Sequence, residues 1–77
     1  MKKSIYSDKQ KALQKALREA RENAGLTQQQ VADKLGKPQS FVAKYEGGER
    51  RLDVIEFLEV MEILDVDREI VLSRISE

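Results

Sequence analysis

The side chains of this chain best equipped for chemistry are hydrogen-bond donors and cations gathered between positions 28 and 51: Gln28, Lys37, Gln39, Ser40, Lys44, Arg50 and Arg51. A glutamine amide presents a donor beside an acceptor, whereas ammonium and guanidinium groups only donate. Such a set suits reading a polar edge and neutralising an anion. The usual equipment for breaking bonds is missing. The 77 residues include no cysteine and no histidine, which removes structural zinc sites, thiol nucleophiles and the commonest general base together. A metal would have only carboxylates and carbonyls to hold it, so neither metal nor cofactor is expected. No carboxylates converge at loop ends, and an enzyme is not expected either.

Fourteen basic and fourteen acidic residues cancel overall. That balance argues against a nucleic-acid partner, because attraction to phosphate supplies most non-specific affinity for DNA. The distribution reverses the impression. Residues 1–51 hold 12 Lys/Arg against 6 Asp/Glu, a net charge of +6, and residues 52–77 hold 2 against 8, a net charge of −6. The chain has a basic front and an acidic back, each of which also reads as a solvated helix face.

These residues must be positioned by helices. Ser7-Asp8-Lys9-Gln10 has the spacing of a capping box, and Leu13, Ala16, Leu17, Ala20 and Ala24 follow on one face until Gly25. The spacing predicts a first helix over about residues 8–24. Thr27-Gln28-Gln29-Gln30 is a second capping box, followed by Val31, Ala32 and Leu35 and stopped by Gly36, which predicts a helix over 28–35. Pro38 suits the first position of a third helix, where its missing amide hydrogen would be unpaired anyway. That helix is expected over 38–46, with Val42 and Tyr45 inward and Gly47-Gly48 closing it. Asp53 caps a fourth over 53–64, with Val54, Phe57, Leu58, Met61 and Leu64 as its core stripe, and Asp67 caps a fifth over 67–75. No strand alternation, repeat or linker interrupts the chain. The expectation is a single all-α domain of five helices spanning residues 1–77, at a length where self-association often supplements a small core. Met1-Lys2-Lys3-Ser4-Ile5-Tyr6 lacks the apolar run of about 7–15 residues found in a secretory signal, and no spanning segment follows, so the cytoplasm is the default compartment.

The second and third helices form a tight pair. Ala32 is small where they cross, Gly36 stands at the turn, and Val42 and Tyr45 anchor the third helix, leaving its other face free. An exposed helix face of this kind can enter the major groove of DNA. Here the sequence resembles the phage-repressor and Cro-like helix-turn-helix family, the xenobiotic-response-element (XRE) type, from about Leu17 to Val66. The residues that carry the resemblance are Leu17-Arg18-Glu19-Ala20-Arg21, Gly25-Leu26-Thr27-Gln28, Val31-Ala32, Leu35-Gly36, Gln39-Ser40, Lys44-Tyr45-Glu46-Gly47-Gly48-Glu49-Arg50-Arg51-Leu52 and Leu64-Asp65-Val66. Two positions depart from the pattern: Lys37, where the family often has an apolar residue, and Pro38, where it often has a Ser or Thr cap.

The resemblance implies a lambda-repressor-like DNA-binding domain with roles for particular residues. Gln39, Ser40, Ala43 and Lys44 would face base edges; Gln can pair with adenine, Lys can donate to guanine, and Ala43 can touch a thymine methyl. Gln28, at a helix N-terminus, would donate to a phosphate, and Lys37, Arg50 and Arg51 would clamp the backbone. Arg21 and Glu46 would form an ion pair bracing the first helix against the third, with Thr27, Ala32, Gly36, Val42 and Tyr45 as structural support. Phe41 stands open between core packing and DNA contact.

Glu56, Glu59 and Glu62 fall outside the expected stripe of the fourth helix and would repel phosphate, so that face should point away from DNA. Val60 and Ile63, partly off the stripe, and Ile70, Val71 and Ile75 of the fifth helix are candidates for a two-fold interface, unless they merely seal the monomer core. Arg68 and Arg74 could pair across such an interface. The expected function is a sequence-specific, double-stranded-DNA-binding transcriptional regulator, acting as a homodimeric repressor or autoregulator on a pseudo-palindromic operator. The alternative from another class is a protein-interaction module or antitoxin-like protein that uses the acidic C-terminal face.

Overall fold

The computed structural model describes residues 8–76. Five helices follow in order: α1 Asp8–Asn23, α2 Gln28–Leu35, α3 Gln39–Gly47, α4 Val54–Leu64 and α5 Arg68–Ser76. α1 packs against α3 and α5, while α2 packs against α3 and α4. Among the described residues there is no strand, and no helix is long and apolar enough to cross a membrane. The cap expected from Ser7 lies outside the described residues.

Local sequence accounts for most boundaries. The Thr27 side chain accepts from the Gln30 amide at 3.1 Å, and the Gln30 side chain accepts from the Thr27 amide at 2.9 Å, so two otherwise unpaired donors of α2 are satisfied. Gly36 ends α2 in the left-handed region at φ 72°, its amide returning to the carbonyls of Ala32 and Asp33. Asp53 and Glu56 form the same reciprocal box at the start of α4. Asp67 accepts from the Glu69 amide at 2.9 Å ahead of α5.

Pro38 differs from the expectation. It is the N-cap of α3, extended at ψ 155°, and the helix begins one residue later at Gln39. Its carbonyl still accepts from the Phe41 amide at 2.9 Å, but proline has no side-chain oxygen to satisfy a further donor.

The core is built from Ala16 and Leu17 of α1, Val31 and Ala32 of α2, Phe41, Val42 and Tyr45 of α3, Val60, Met61 and Leu64 of α4, and Val71 of α5. The inward face of α4 is rotated from the one expected. Phe57, Val60, Met61 and Leu64 pack inside, whereas Val54 and Leu58 lie outside with Ile55. Residues 54, 55, 57, 58, 60, 61, 63 and 64 are all apolar. A helix so apolar around most of its circumference offers periodicity no single face to choose, and the neighbouring α2 decides.

Burial also corrects the expected two-fold interface, in favour of sealing the monomer core at two positions. Val60 and Val71 are buried within the monomer, so neither can contribute to a free surface. Ile63 is half-buried in a groove with Lys34 and Leu35 of α2, Ile75 lines a different groove with Leu13 and Phe57, and Ile70 is exposed on α5. These five side chains do not converge on one patch. Arg74 is also accounted for within the chain, pairing with Glu19 of α1 at 2.9 Å.

Candidate nucleic-acid interface

α3 is held by a buried edge formed by Val42, Tyr45 and Phe41, with Val42 entirely inaccessible. On its other edge Gln39, Ser40 and Lys44 are exposed and Ala43 is half-exposed. Ala32, also inaccessible, lies in the partner helix α2, where the absence of a larger side chain permits the close approach of the two helices.

A chain of polar contacts ties this edge to the scaffold. Gln39 Nε2 donates to Gln28 Oε1 at 2.8 Å, and Gln28 Nε2 donates in turn to Glu46 Oε1 at 3.0 Å. Arg21 grips the same carboxylate bidentately, Nε to Oε2 at 2.8 Å and an η-nitrogen to Oε1 at 3.2 Å. Its other η-nitrogen donates to the Leu26 carbonyl at 2.9 Å. The first residues of α2 and α3, which the resemblance singles out, are thus registered against one another through their amides. Glu46 is buried, and its hydrogen bonds push the Arg21 guanidinium above even its usual high pKa. Arg21 remains a cation throughout any working pH range.

The cationic residues divide. Lys37 and Lys44 are exposed and, among the described residues, have no carboxylate partner within ion-pair distance. Arg50 is committed: it donates to Glu56 Oε2 at 2.7 Å and to the Arg51 carbonyl at 2.9 Å. Arg51 is exposed. Glu56 therefore does not belong to an acidic face turned away from the basic front. It stands beside Arg50 and fixes the turn after α3, because its place in the capping box aims the carboxylate back toward residues 50–53.

Sequence reasoning passed over two positioning residues. Glu56 carries a legible signal, Asp53-x-x-Glu56, which has capping-box spacing. Gln14 carries none: its amide donates to the Glu46 carbonyl at 3.3 Å across 32 residues, bracing the C-terminal end of α3 from α1. A Cβ at Gly48, whose φ is +88°, would come within 2.8 Å of that amide. The second glycine of the pair is therefore constrained both by its backbone and by its neighbour.

Comparison with known proteins agrees with the geometry. The family described as Helix-turn-helix matches residues 17–71. A solved structure described as an XRE-family like protein from Pseudomonas syringae pv. tomato str. DC3000 shares 46% identity and superposes with a TM-score of 0.84. The match covers 94% of this chain and 88% of that one. Among curated proteins no match is found. With five helices in this arrangement, a family match over most of its length and close likeness to an XRE-family structure, the chain belongs to the XRE-type helix-turn-helix family of DNA-binding transcription regulators.

Proposed function

We propose that the chain is a sequence-specific regulator that binds double-stranded DNA as a dimer, inserts α3 into the major groove and acts as a repressor or autoregulator. The observation that carries this reading is the exposed edge of Gln39, Ser40 and Lys44 opposite the buried Val42 and Tyr45. A helix anchored on one side with free donors on the other meets the steric and chemical demands of base readout. In this reading Gln39, Ser40, Ala43 and Lys44 face base edges. Gln28, Lys37, Arg50 and Arg51 serve the backbone, with Gln28 orienting Gln39 as well.

The dimer contact is best assigned to a face that keeps only Ile75 of the residues suggested by sequence. Val54 is 71%, Ile55 64%, Leu58 39% and Leu72 44% exposed. Val54 and Leu72 line one apolar groove with Ile75 and with Leu13 of α1, and Leu58 lies one turn beyond Val54. Their rim favours a second copy as occupant. Arg68, without an ion pair among the described residues, lines a groove with Leu58, Glu62 and Asp65. In a dimer joined through these apolar side chains, Arg68 with Glu62 and Asp65 would offer both signs of charge for self-complementary pairing at the rim. Two recognition helices related in this way would address half-sites about 34 Å apart, one turn of DNA.

The test compares Lys44→Ala with Arg51→Ala on duplexes selected from a random library. Lys44→Ala is expected to relax one base position, at a cost of about 1–3 kcal/mol on the selected site only. Arg51→Ala should weaken all duplexes alike and reduce the salt slope by about one unit. Equal losses on selected and random duplexes for both variants would contradict the assignment of α3 to base readout.

A further inference from the structure

Phe41, third in α3, is only 8% exposed, which removes its ring from the groups able to stack on a base. Tyr45 meets the ring edge-on, with centroids 5.6 Å apart and planes inclined by 78°. Two cations also lie over it: Lys37 Nζ at 5.3 Å and Arg50 Cζ at 4.8 Å from the centroid. Lys37 precedes α3 and Arg50 follows it, so the turns at its two ends send positive charge to one aromatic ring.

A ring quadrupole attracts each cation over it, but it leaves their charges in place. Glu56 neutralises Arg50, at 2.7 Å, and fixes its position. Lys37 has no corresponding carboxylate among the described residues. The net charge left at this place is therefore positive, on a lysine whose stem the ring has already steered. An anion arriving there meets an ordered cation instead of a freely rotating one, so less conformational entropy is lost on contact.

We infer that Lys37, Phe41 and Arg50 form one composite phosphate site beside α3, with Phe41 as its positioning residue and a DNA phosphodiester as its ligand. The inference rests on the DNA reading above and extends it to a residue that sequence left open between core packing and DNA contact. It also accounts for Lys37, which departs from the family pattern at a position often apolar: its charge is placed by the neighbouring ring. Because Glu56 offsets Arg50, the site adds about one phosphate contact to the salt dependence.

The test uses Phe41→Met, which keeps an apolar side chain but has no aromatic face, and Phe41→Leu, both checked by thermal melting for folding. The first readout needs no DNA. In the wild-type chain the side-chain methylene protons of Lys37 and Arg50 should be shifted upfield by the ring current, and in either variant they should move toward ordinary values. The second is binding to selected and random duplexes over a salt series. Each variant should lose about tenfold on both duplexes at 0.1 M salt, with a slope smaller by about one unit. Adding Lys37→Ala to Phe41→Met should then cost little more than Lys37→Ala alone.

Full additivity of the two substitutions, or loss of discrimination at one base with the slope intact, would overturn the composite site. Unshifted Lys37 and Arg50 protons in a wild-type chain that binds DNA would overturn it as well, leaving the DNA reading untouched. A wild-type chain that ignores both duplexes at low salt would overturn the DNA reading and the ligand assigned here.

Discussion

Removing the Glu46 carboxylate should cost this fold a large share of its stability, because the charge it balances lies mostly inside the protein. The side chains of Arg21 and Glu46 are 12% and 3% exposed, and two short contacts join them. In Glu46→Ala the guanidinium keeps only its bond to the Leu26 carbonyl at 2.9 Å and cannot reach water freely. Breaking a buried pair from one side costs about 3–5 kcal/mol, and the partial exposure of Arg21 places the expectation near the lower end, at about 3 kcal/mol. A chain of this length has a total stability of roughly 4–12 kcal/mol, so a quarter or more of it would be lost. Glu46→Gln preserves a neutral acceptor and should cost about 1.5–3 kcal/mol, the worth of hydrogen bonds to a charged group. The double change Arg21→Met with Glu46→Leu removes both charges and should recover much of the loss, giving a coupling of at least about 2 kcal/mol. Urea unfolding followed by circular dichroism, at fixed protein concentration and salt, measures all of these. A loss below about 1 kcal/mol in Glu46→Ala, or simple additivity in the double variant, would refute the view that desolvation of this pair dominates.

Burial pushes the Tyr45 hydroxyl far above the ordinary phenol range, reinforced by the nearby Glu46 charge. The native state thus favours the neutral phenol. Its stabilising effect is complete below the unfolded value of about 10 and is lost as pH rises above it toward the folded value. Tyr45→Phe should flatten that alkaline decline in a pH series of thermal melts, and since the hydroxyl has no hydrogen-bond partner among the described residues, it should cost less than about 1 kcal/mol at neutral pH. Gly36→Ala should cost about 1–2 kcal/mol for the left-handed backbone alone, since a Cβ there meets nothing among the described residues, whereas Gly48→Ala should cost more and be partly relieved by Gln14→Ala. Leu58→Glu should shift sedimentation toward monomer without altering the far-UV spectrum, because Leu58 lies on the exposed face of α4. An unchanged oligomeric state would remove that face from the dimer assignment.

The helix ends were legible because each depends on a handful of adjacent residues. Thr27 with Gln30, Gly36, and Asp53 with its box all place boundaries through local bonds. The inward Val42 and Tyr45 were legible from their spacing, whereas the outward Gln39, Ser40 and Lys44 followed from the family resemblance, and the burial of Phe41 was left open. The Arg21–Glu46 pair followed from the family resemblance, not from spacing, as its partners are 25 residues apart.

Tertiary structure alone decided what local pattern leaves degenerate. α4 is apolar on nearly every side, and its packing against neighbouring helices, α2 foremost, determines that Val60 goes in while Val54 and Leu58 stay out. The bond from Gln14 to the end of α3, the commitment of Arg50 to Glu56 and the meeting of Lys37 and Arg50 over Phe41 all depend on where separate elements come to rest. A capping bond closes within one turn and is written in neighbouring residues. A face, an ion pair or a cation over a ring is chosen by the helix that arrives beside it.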